Sequence, residues 1–336
     1  MLAAPVHLAR AVARRRKEGI AIPAVSTVAG PLDISELGFT LMHEHVLVKS
    51  PGVVENFPFV WDREIEIEKA AGKLRDAAAR GVKTIVDCTT VDLGRDIQFV
   101  AEVARRSGMQ IIACTGMYFD VPRYFHSRSA DVMAALFVRE IREGIAGSDI
   151  KAGIIKCATD EAGMTIQVEK VVRACARAHR ATGVPITTHT YAAGEMGTRQ
   201  QDIFAAEGVD LSRVIIGHSG DSNDIAHLLR LIGRGSYIGM DRFGLDMFLP
   251  TADRVTTIAS LCRMGHADRM VLSHDANSYM DWYERWMIEQ MAPDWHYNFI
   301  PDTVIPALHQ AGVTDDQIRQ MTVDNPRRIF EQCEPY

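Results

Sequence analysis

The chain has 336 residues, 47% hydrophobic and 24% charged, with a formal net charge of −6. That balance argues against nucleic acid or an anionic membrane surface as the main partner. No apolar stretch reaches the ~18 residues that span a bilayer. Six cysteines are present, Cys88, Cys114, Cys157, Cys175, Cys262 and Cys333, without a C-x-x-C pair. Several lie in apolar strand-like runs, where a free thiol behaves as a small hydrophobe, so a reduced, cytoplasmic protein is expected.

Residues 1–30 read as an N-terminal extension. Arg14, Arg15, Arg16 and Lys17 form a basic cluster, and the run from Gly19 to Gly30 is too weakly apolar, and too broken by Pro23, for a signal peptide. Residues 31–336 are expected to form one catalytic domain. From residue 38 onward, short β-rich runs alternate with amphipathic helical stretches. The first strand, Leu37–Met42, ends in His43-Glu44-His45. A helix over Arg63–Arg80 precedes a strand at Thr84–Thr89. Further strands are expected at Gln110–Thr115, Gly153–Lys156, Pro185–His189, Val214–His218, Tyr237–Asp241 and Met270–Asp275. Glycine stands just before several of them, as at Gly81, Gly108, Gly183 and Gly208, where helix C-termini favour it. Eight strand–helix units in a chain of this size predict a TIM (β/α)8 barrel of the α/β class. The alternative, a doubly wound open sheet, wants a G-x-G-x-x-G loop after the first strand, and none is found there.

Two connections exceed what a barrel needs. One runs from about Val46 to Asp62. The other, from about Ala276 to Asn298, carries Tyr279, Trp282, Tyr283, Trp286, Met287, Met291, Trp295 and Tyr297. So aromatic a loop is expected to be ordered, either packed over the barrel rim or forming an apolar wall for a ligand.

The polar residues at the strand ends form a pattern. In a strand, residues i and i+2 face the same way, so His43 and His45 can present two imidazoles to one metal ion. Lys156 ends the fourth strand, His189 the fifth, His218 the sixth and Asp275 the eighth. In a barrel these ends converge on the C-terminal face, where active sites of this fold lie. Any one of them has a structural explanation: a strand-end histidine can be a hydrogen-bonded core residue, Asp275 a helix cap, Lys156 an ion-pair partner. Their convergence on one mouth favours a metal site. His7, His179, His227, His266 and His309 fall in helical or surface stretches, His126 and His296 in loops. His274, next to Asp275, should face the opposite side of its strand. Lys156 as an ammonium has no lone pair and cannot bind a cation. It would act as a neutral amine forming a Schiff base, or react with carbon dioxide to give an anionic carbamate able to bridge two metals.

The chain resembles the phosphotriesterase-like branch of the amidohydrolase superfamily, and specifically its lactonases. The resemblance runs from about Thr27 to the end. It rests on Gly38-Phe39-Thr40-Leu41-Met42-His43-Glu44-His45, Gly153-Ile154-Ile155-Lys156, Thr188-His189-Thr190, Gly217-His218-Ser219, Ser273-His274-Asp275 and the closing Asp324-Asn325-Pro326-Arg327-Arg328-Ile329-Phe330. It implies an amidohydrolase-type barrel with a binuclear centre of two divalent metals: zinc first, with cobalt, iron or manganese as alternatives. His43, His45 and Asp275 would hold the buried metal, and His189 and His218 the more exposed one. Lys156 carboxylated by CO2 and a hydroxide would bridge them. Tyr118, in Gly116-Met117-Tyr118, and Arg242, in Asp241-Arg242-Phe243-Gly244, match residues near the substrate in such lactonases. His274 departs from the pattern, standing where relatives carry a small amide.

The chemistry this implies is attack of the bridging hydroxide on a lactone carbonyl, with Asp275 moving the proton and Tyr118 steadying the oxyanion. The connection after strand seven, about Phe243 to Asp253, is short, which resembles lactonases rather than dedicated triesterases. N-acyl-homoserine lactones are the expected substrates, making this a quorum-quenching enzyme, and the resemblance implies a homodimer. Three other readings stand beside it. They are an organophosphate triesterase with the same metals, a Schiff-base lyase using Lys156, and a metal-free binding protein on a barrel scaffold.

Overall fold

The computed structural model describes residues 23–331 and 334–336. Arg14–Lys17, His7 and Cys333 lie outside the described residues. The described chain opens with a hairpin, β1 (Ala24–Thr27) and β2 (Gly30–Asp33), paired antiparallel. Then come β3 (Phe39–Glu44), the short β4 (Leu47–Val48), β5 (Val82–Asp87), β6 (Gln110–Gly116), β7 (Ile154–Thr159), β8 (Ile186–Thr190), β9 (Val214–Ile216), β10 (Tyr237–Met240), β11 (Met270–Leu272) and the short β12 (Tyr279–Met280). Eight of these make one sheet, in the order β3, β5, β6, β7, β8, β9, β10, β11. Every pairing within it is parallel.

Among the described residues β3 and β11 form no ladder. The seam between them is closed by fewer bonds. The Asp275 N–H donates to the His43 carbonyl at 3.0 Å, the His45 N–H to the Ala276 carbonyl at 2.8 Å, and the His43 N–H to Ser273 Oγ at 2.9 Å. The sheet thereby becomes the expected (β/α)8 barrel.

The helices form where the sequence pattern places them. Asp62 caps Arg63–Ala79 by accepting the Glu64 and Ile65 N–H groups, and Ile67, Ala70, Ala71, Leu74 and Ala77 form its buried stripe. Thr165 starts Ile166–Thr182, and Gly183, at φ 74°, ends it in the left-handed conformation that glycine adopts without strain. No described helix is long and apolar enough to cross a membrane.

The hairpin closes the bottom of the barrel. Val25 and Leu32 pack with Val86, Ile112 and Ile154, and the Val28 N–H donates to the Ile111 carbonyl at 2.9 Å. Burying each such side chain contributes about 1.5–3 kcal/mol. Gly153 admits the hairpin, since a Cβ there would lie 2.6 Å from the Ser26 carbonyl oxygen. The hairpin thus straddles residue 30, where the extension was expected to end.

At the opposite end the two long connections meet. β4 and β12 pair in parallel, Leu47 with Tyr279 and Val48 with Met280. Beyond β12 the second connection carries a short helix, Arg285–Met291. The expected strands Val214–His218 and Met270–Asp275 are shorter than the sequence pattern predicts, ending at Ile216 and Leu272. Their last residues leave the pleat: His218 and Asp275 each take a left-handed φ of 57°. That conformation costs a non-glycine residue about 1–2 kcal/mol. It turns both side chains into the barrel mouth, a position typical of strained functional residues.

Candidate active site

All the side chains singled out at the strand ends meet at the C-terminal mouth. His43 and His45 lie on one face, ring centroids 5.9 Å apart. Asp275 Oδ1 is 3.2 Å from His45 Nε2 and 3.5 Å from His43 Nε2. Ligand atoms of these three residues all lie within 4.8 Å of one another, close enough to share one cation. His189 Nδ1 faces His218 Nε2 at 2.9 Å, and His218 Nε2 is 3.5 Å from Asp275 Oδ2. Two pairs of imidazoles therefore flank one carboxylate.

Their back sides are tied down. Asp241, 1% exposed, accepts from His43 Nδ1 at 3.1 Å, from His218 Nδ1 at 3.0 Å and from the His218 N–H at 2.7 Å. Those bonds put the ring protons on Nδ1 and leave both Nε2 lone pairs facing the mouth. His43, His218 and Asp241 are also spaced as a metal cluster, but the ring protons already fill that carboxylate. The other two rings are held in the same way. His45 Nδ1 lies 2.8 Å from Thr89 Oγ1, and His189 Nε2 lies 3.2 Å from Asp160 Oδ2.

Electrostatics match this division. Burial pushes the His43 imidazole down, and the neighbouring Lys156 charge adds to it. Burial likewise lowers His189 to about 4 and His218 well below the ordinary histidine range. Neutral rings with free lone pairs are what a cation needs. Burial alone would raise the Asp275 carboxyl, but His218, His43, His45 and the Arg242 guanidinium together hold it well below the usual carboxylate range. Arg242 Nε donates to Asp275 Oδ2 at 3.0 Å and its Nη1 to Asp221 Oδ2 at 2.9 Å.

Lys156 is 1% exposed, with Nζ 2.5 Å from His43 Nε2. Among the described residues no carboxylate forms an ion pair with it. A buried amine set beside the lone pair of a candidate ligand, with no carboxylate in ion-pair contact, fits the carbamate expectation better than a structural ammonium. Gly116 allows the strand to pass so close, since a Cβ there would lie 1.9 Å from the Lys156 carbonyl oxygen. Tyr118 OH approaches His189 Nδ1 at 3.2 Å, and burial raises its phenol well above the ordinary value, so it stays a donor.

Above this floor is a cavity of about 200 Å³. His45, Tyr118, Lys156, His189, Arg242 and Asp275 line its base, with His43 and His218 beneath. Its walls are apolar: Leu93, Leu245 and Phe248 on one side, and Trp282, Tyr283, Met291 and Trp295 from the long connection. Other aromatic residues of that connection serve elsewhere. Tyr279 packs on Trp61, Tyr297 OH donates to the His45 carbonyl at 2.5 Å, and Trp286 is exposed. The described histidines expected outside the site stay outside it. His179, for example, is held by the Val184 carbonyl and the Tyr336 hydroxyl.

The family model of the phosphotriesterase family matches residues 23–330. This chain belongs to the phosphotriesterase family. A phosphotriesterase homology protein of Mycobacterium tuberculosis is 50% identical over 321 residues, 93% of this chain and 98% of its own. An aryldialkylphosphatase of Saccharolobus solfataricus is 40% identical over 307 residues, 89% of this chain and 96% of its own. The solved structure of the phosphotriesterase from Mycobacterium tuberculosis matches with a TM-score of 0.91 at 50% identity, covering 94% of this chain and all of that one. The chain is therefore a hydrolase on a (β/α)8 barrel, in a family whose centre is binuclear and metal-dependent.

Asp241, Glu44, Asp160 and Thr89, which hold the candidate ligands, escape sequence reasoning. Asp241 alone carried a signal, an acidic residue at the end of the seventh expected strand.

Proposed function

We propose that this phosphotriesterase-family hydrolase opens lactone rings, N-acyl-homoserine lactones foremost, and so quenches quorum signals. The observation that supports this reading best is the cavity, with a charged, metal-competent base under a wall of aliphatic and aromatic side chains. A polar ring suits the base and an acyl chain suits the wall, each buried methylene contributing about 0.8 kcal/mol.

His43, His45 and Asp275 would hold one divalent cation and His189 and His218 the other, with Lys156 as a carbamate between them. Zinc is the first choice, with cobalt, iron or manganese as alternatives. Such a pair supplies an acidified water and a polarised carbonyl. The chain's own groups do the rest. Asp275 takes the proton at Oδ2, where the Arg242 Nε–H holds the carboxylate toward the mouth. The Tyr118 hydroxyl, kept protonated by burial, donates to the developing oxyanion. Asp275 then delivers its proton to the leaving alkoxide. The five free, buried cysteines among the described residues accord with a reducing, cytoplasmic setting. A homodimer is the assembly we expect, read directly by light scattering.

A second reading, organophosphate triester hydrolysis, is favoured by the 40% identity to a protein named aryldialkylphosphatase. One experiment separates the two: kcat/KM of the metal-loaded protein on an acyl-lactone panel and on an activated aryl phosphotriester, before and after chelation. The lactone reading expects the higher value on lactones, abolished by chelator. A preference for the phosphotriester, or turnover indifferent to chelation, refutes it.

A further inference from the structure

Glu44 stands between two candidate ligands, and its carboxylate, fully buried, takes no part in the chemistry above. Four donors converge on it, all from the segment that carries Asp275. Ser273 Oγ donates to Oε1 at 2.7 Å, the His274 N–H at 3.0 Å and His274 Nδ1 at 2.7 Å, while the Ala276 N–H donates to Oε2 at 2.9 Å. These bonds lie at the seam where β3 and β11 form no ladder.

His274 has a second anchor. Its Nε2 lies 2.9 Å from the Ile300 N of the backbone. A backbone N–H can only donate, so Nε2 accepts and Nδ1 carries the proton given to Glu44. The Trp295 Nε1–H also donates to the His274 carbonyl, at 2.9 Å. His274 is thus a strut with one end on the carboxylate between His43 and His45 and the other on the Ile300 backbone, just past the long connection.

We propose that Glu44 and His274 are a positioning pair that sets Asp275 against His43 and His45. The inference rests on reading those three residues as ligands of one cation. His43 lies in β3, His45 just past its end and Asp275 beyond β11, so their mutual distance is only as firm as the seam. Ligand sets must be held within about 0.5 Å of their working geometry. Two backbone hydrogen bonds cross the seam directly; the Glu44 carboxylate, bonded to residues 273, 274 and 276, locks the segment from both sides of Asp275.

The two nitrogens of His274 allow a test. His274→Asn puts an amide donor near the place of Nδ1, keeping the Glu44 bond and losing Ile300. His274→Gln reaches Ile300 with its carbonyl and loses Glu44. Cobalt titration, followed by visible absorption and by chelator competition, reads each metal half without turnover. His274→Gln should weaken one of the two cobalt equivalents ten- to a hundredfold and shift its bands, while His274→Asn keeps wild-type affinity. Equal weakening in both variants, or none in His274→Gln, overturns the proposal. If His274→Gln does not fold by circular dichroism, Glu44→Gln replaces it. Its amide sets a donor against the Ala276 N–H, and the same loss of one equivalent is expected; unchanged affinity overturns the proposal. A wild-type protein that takes up no cobalt instead removes the ligand reading itself, and the pair's role with it.

Discussion

Gly239→Ala should loosen the metal grip from beneath, without touching a ligand. Gly239 lies in β10, two residues before Asp241, and its backbone is not left-handed, so alanine suits the strand. The obstacle is space. A Cβ there would lie 2.1 Å from Asp241 Oδ2 and 2.7 Å from its Cγ. To reach ordinary contact at 3.4 Å the carboxylate must retreat by roughly 1.3 Å. Its hydrogen bonds to His43 Nδ1 and His218 Nδ1, at 3.1 and 3.0 Å, do not survive such a move. Each bond to a buried charge is worth about 1.5–3 kcal/mol, and one ring from each candidate metal pair loses its anchor. Metal affinity should fall about ten- to a hundredfold. Chelator competition measures the affinity, and melting with and without metal separates it from stability. An alanine variant with wild-type metal affinity would show that Asp241 does not orient the rings.

Four further outcomes are expected. Tyr118→Phe removes the donor nearest His189 and should lower kcat by up to about 100-fold with little change in KM; an unchanged kcat in steady-state kinetics would remove Tyr118 from the chemistry. Lys156→Ala should lose bound metal, and a short carboxylic acid filling the vacated space should restore part of it; metal analysis showing full loading without additive refutes the carbamate. Trp282→Ala should flatten the gain with acyl length, worth about fourfold in kcat/KM per methylene at ~0.8 kcal/mol each; an unaltered length profile places the chain elsewhere. Burial pushes the Asp92 carboxyl up from 3.8 to about 6, although it accepts the Tyr118 N–H at 2.9 Å. Between those values the folded chain keeps a proton that the unfolded chain has released, so stability falls as pH rises. The Tm of Asp92→Asn minus that of wild type should therefore climb through that window, and a flat difference contradicts the assignment.

What the sequence revealed divides along physical lines. Strand-end residues were legible because an apolar run of four to six residues fixes where a strand stops, and a barrel brings every such end to one rim. His189 needed nothing more, one residue from the end of β8; Lys156 is expected to end its strand, but β7 continues to Thr159 and places it mid-strand. The pattern could not reveal that the chain leaves the pleat before His218 and Asp275, since a left-handed residue leaves no trace in hydropathy. Asp241 was visible as a residue but not as a clamp; after a strand, an aspartate serves equally well as a helix cap. Glu44 was hidden by its neighbours. The alternation that points two histidines toward one face turns the residue between them to the other, and what lies there depends on a strand more than 220 residues away. The pairing of β4 with β12 was invisible for the same reason, being two residues long and joining distant segments.

These supports imply two kinds of tolerance within one mouth. The floor is fixed by groups that cross the sheet: Asp241 joins His43 of β3 to His218 just past β9, and Glu44 of β3 holds the segment just past β11. A shift in any of them moves candidate ligands from two strand ends at once, so its effect should fall on metal and turnover together. One side of the wall comes from the connection after β11, tied to the one after β3 by the pairing of β4 with β12 and to the floor by contacts such as Trp295 on the His274 carbonyl, and the other from the connections after β5 and β10. Changes at Trp282, Tyr283 or Met291 alter the shape offered to substrate while every imidazole keeps its anchor. Substrate preference can therefore change along the wall while the hydrolytic floor stays constant. This separation is how one family architecture can serve both lactone and phosphotriester chemistry.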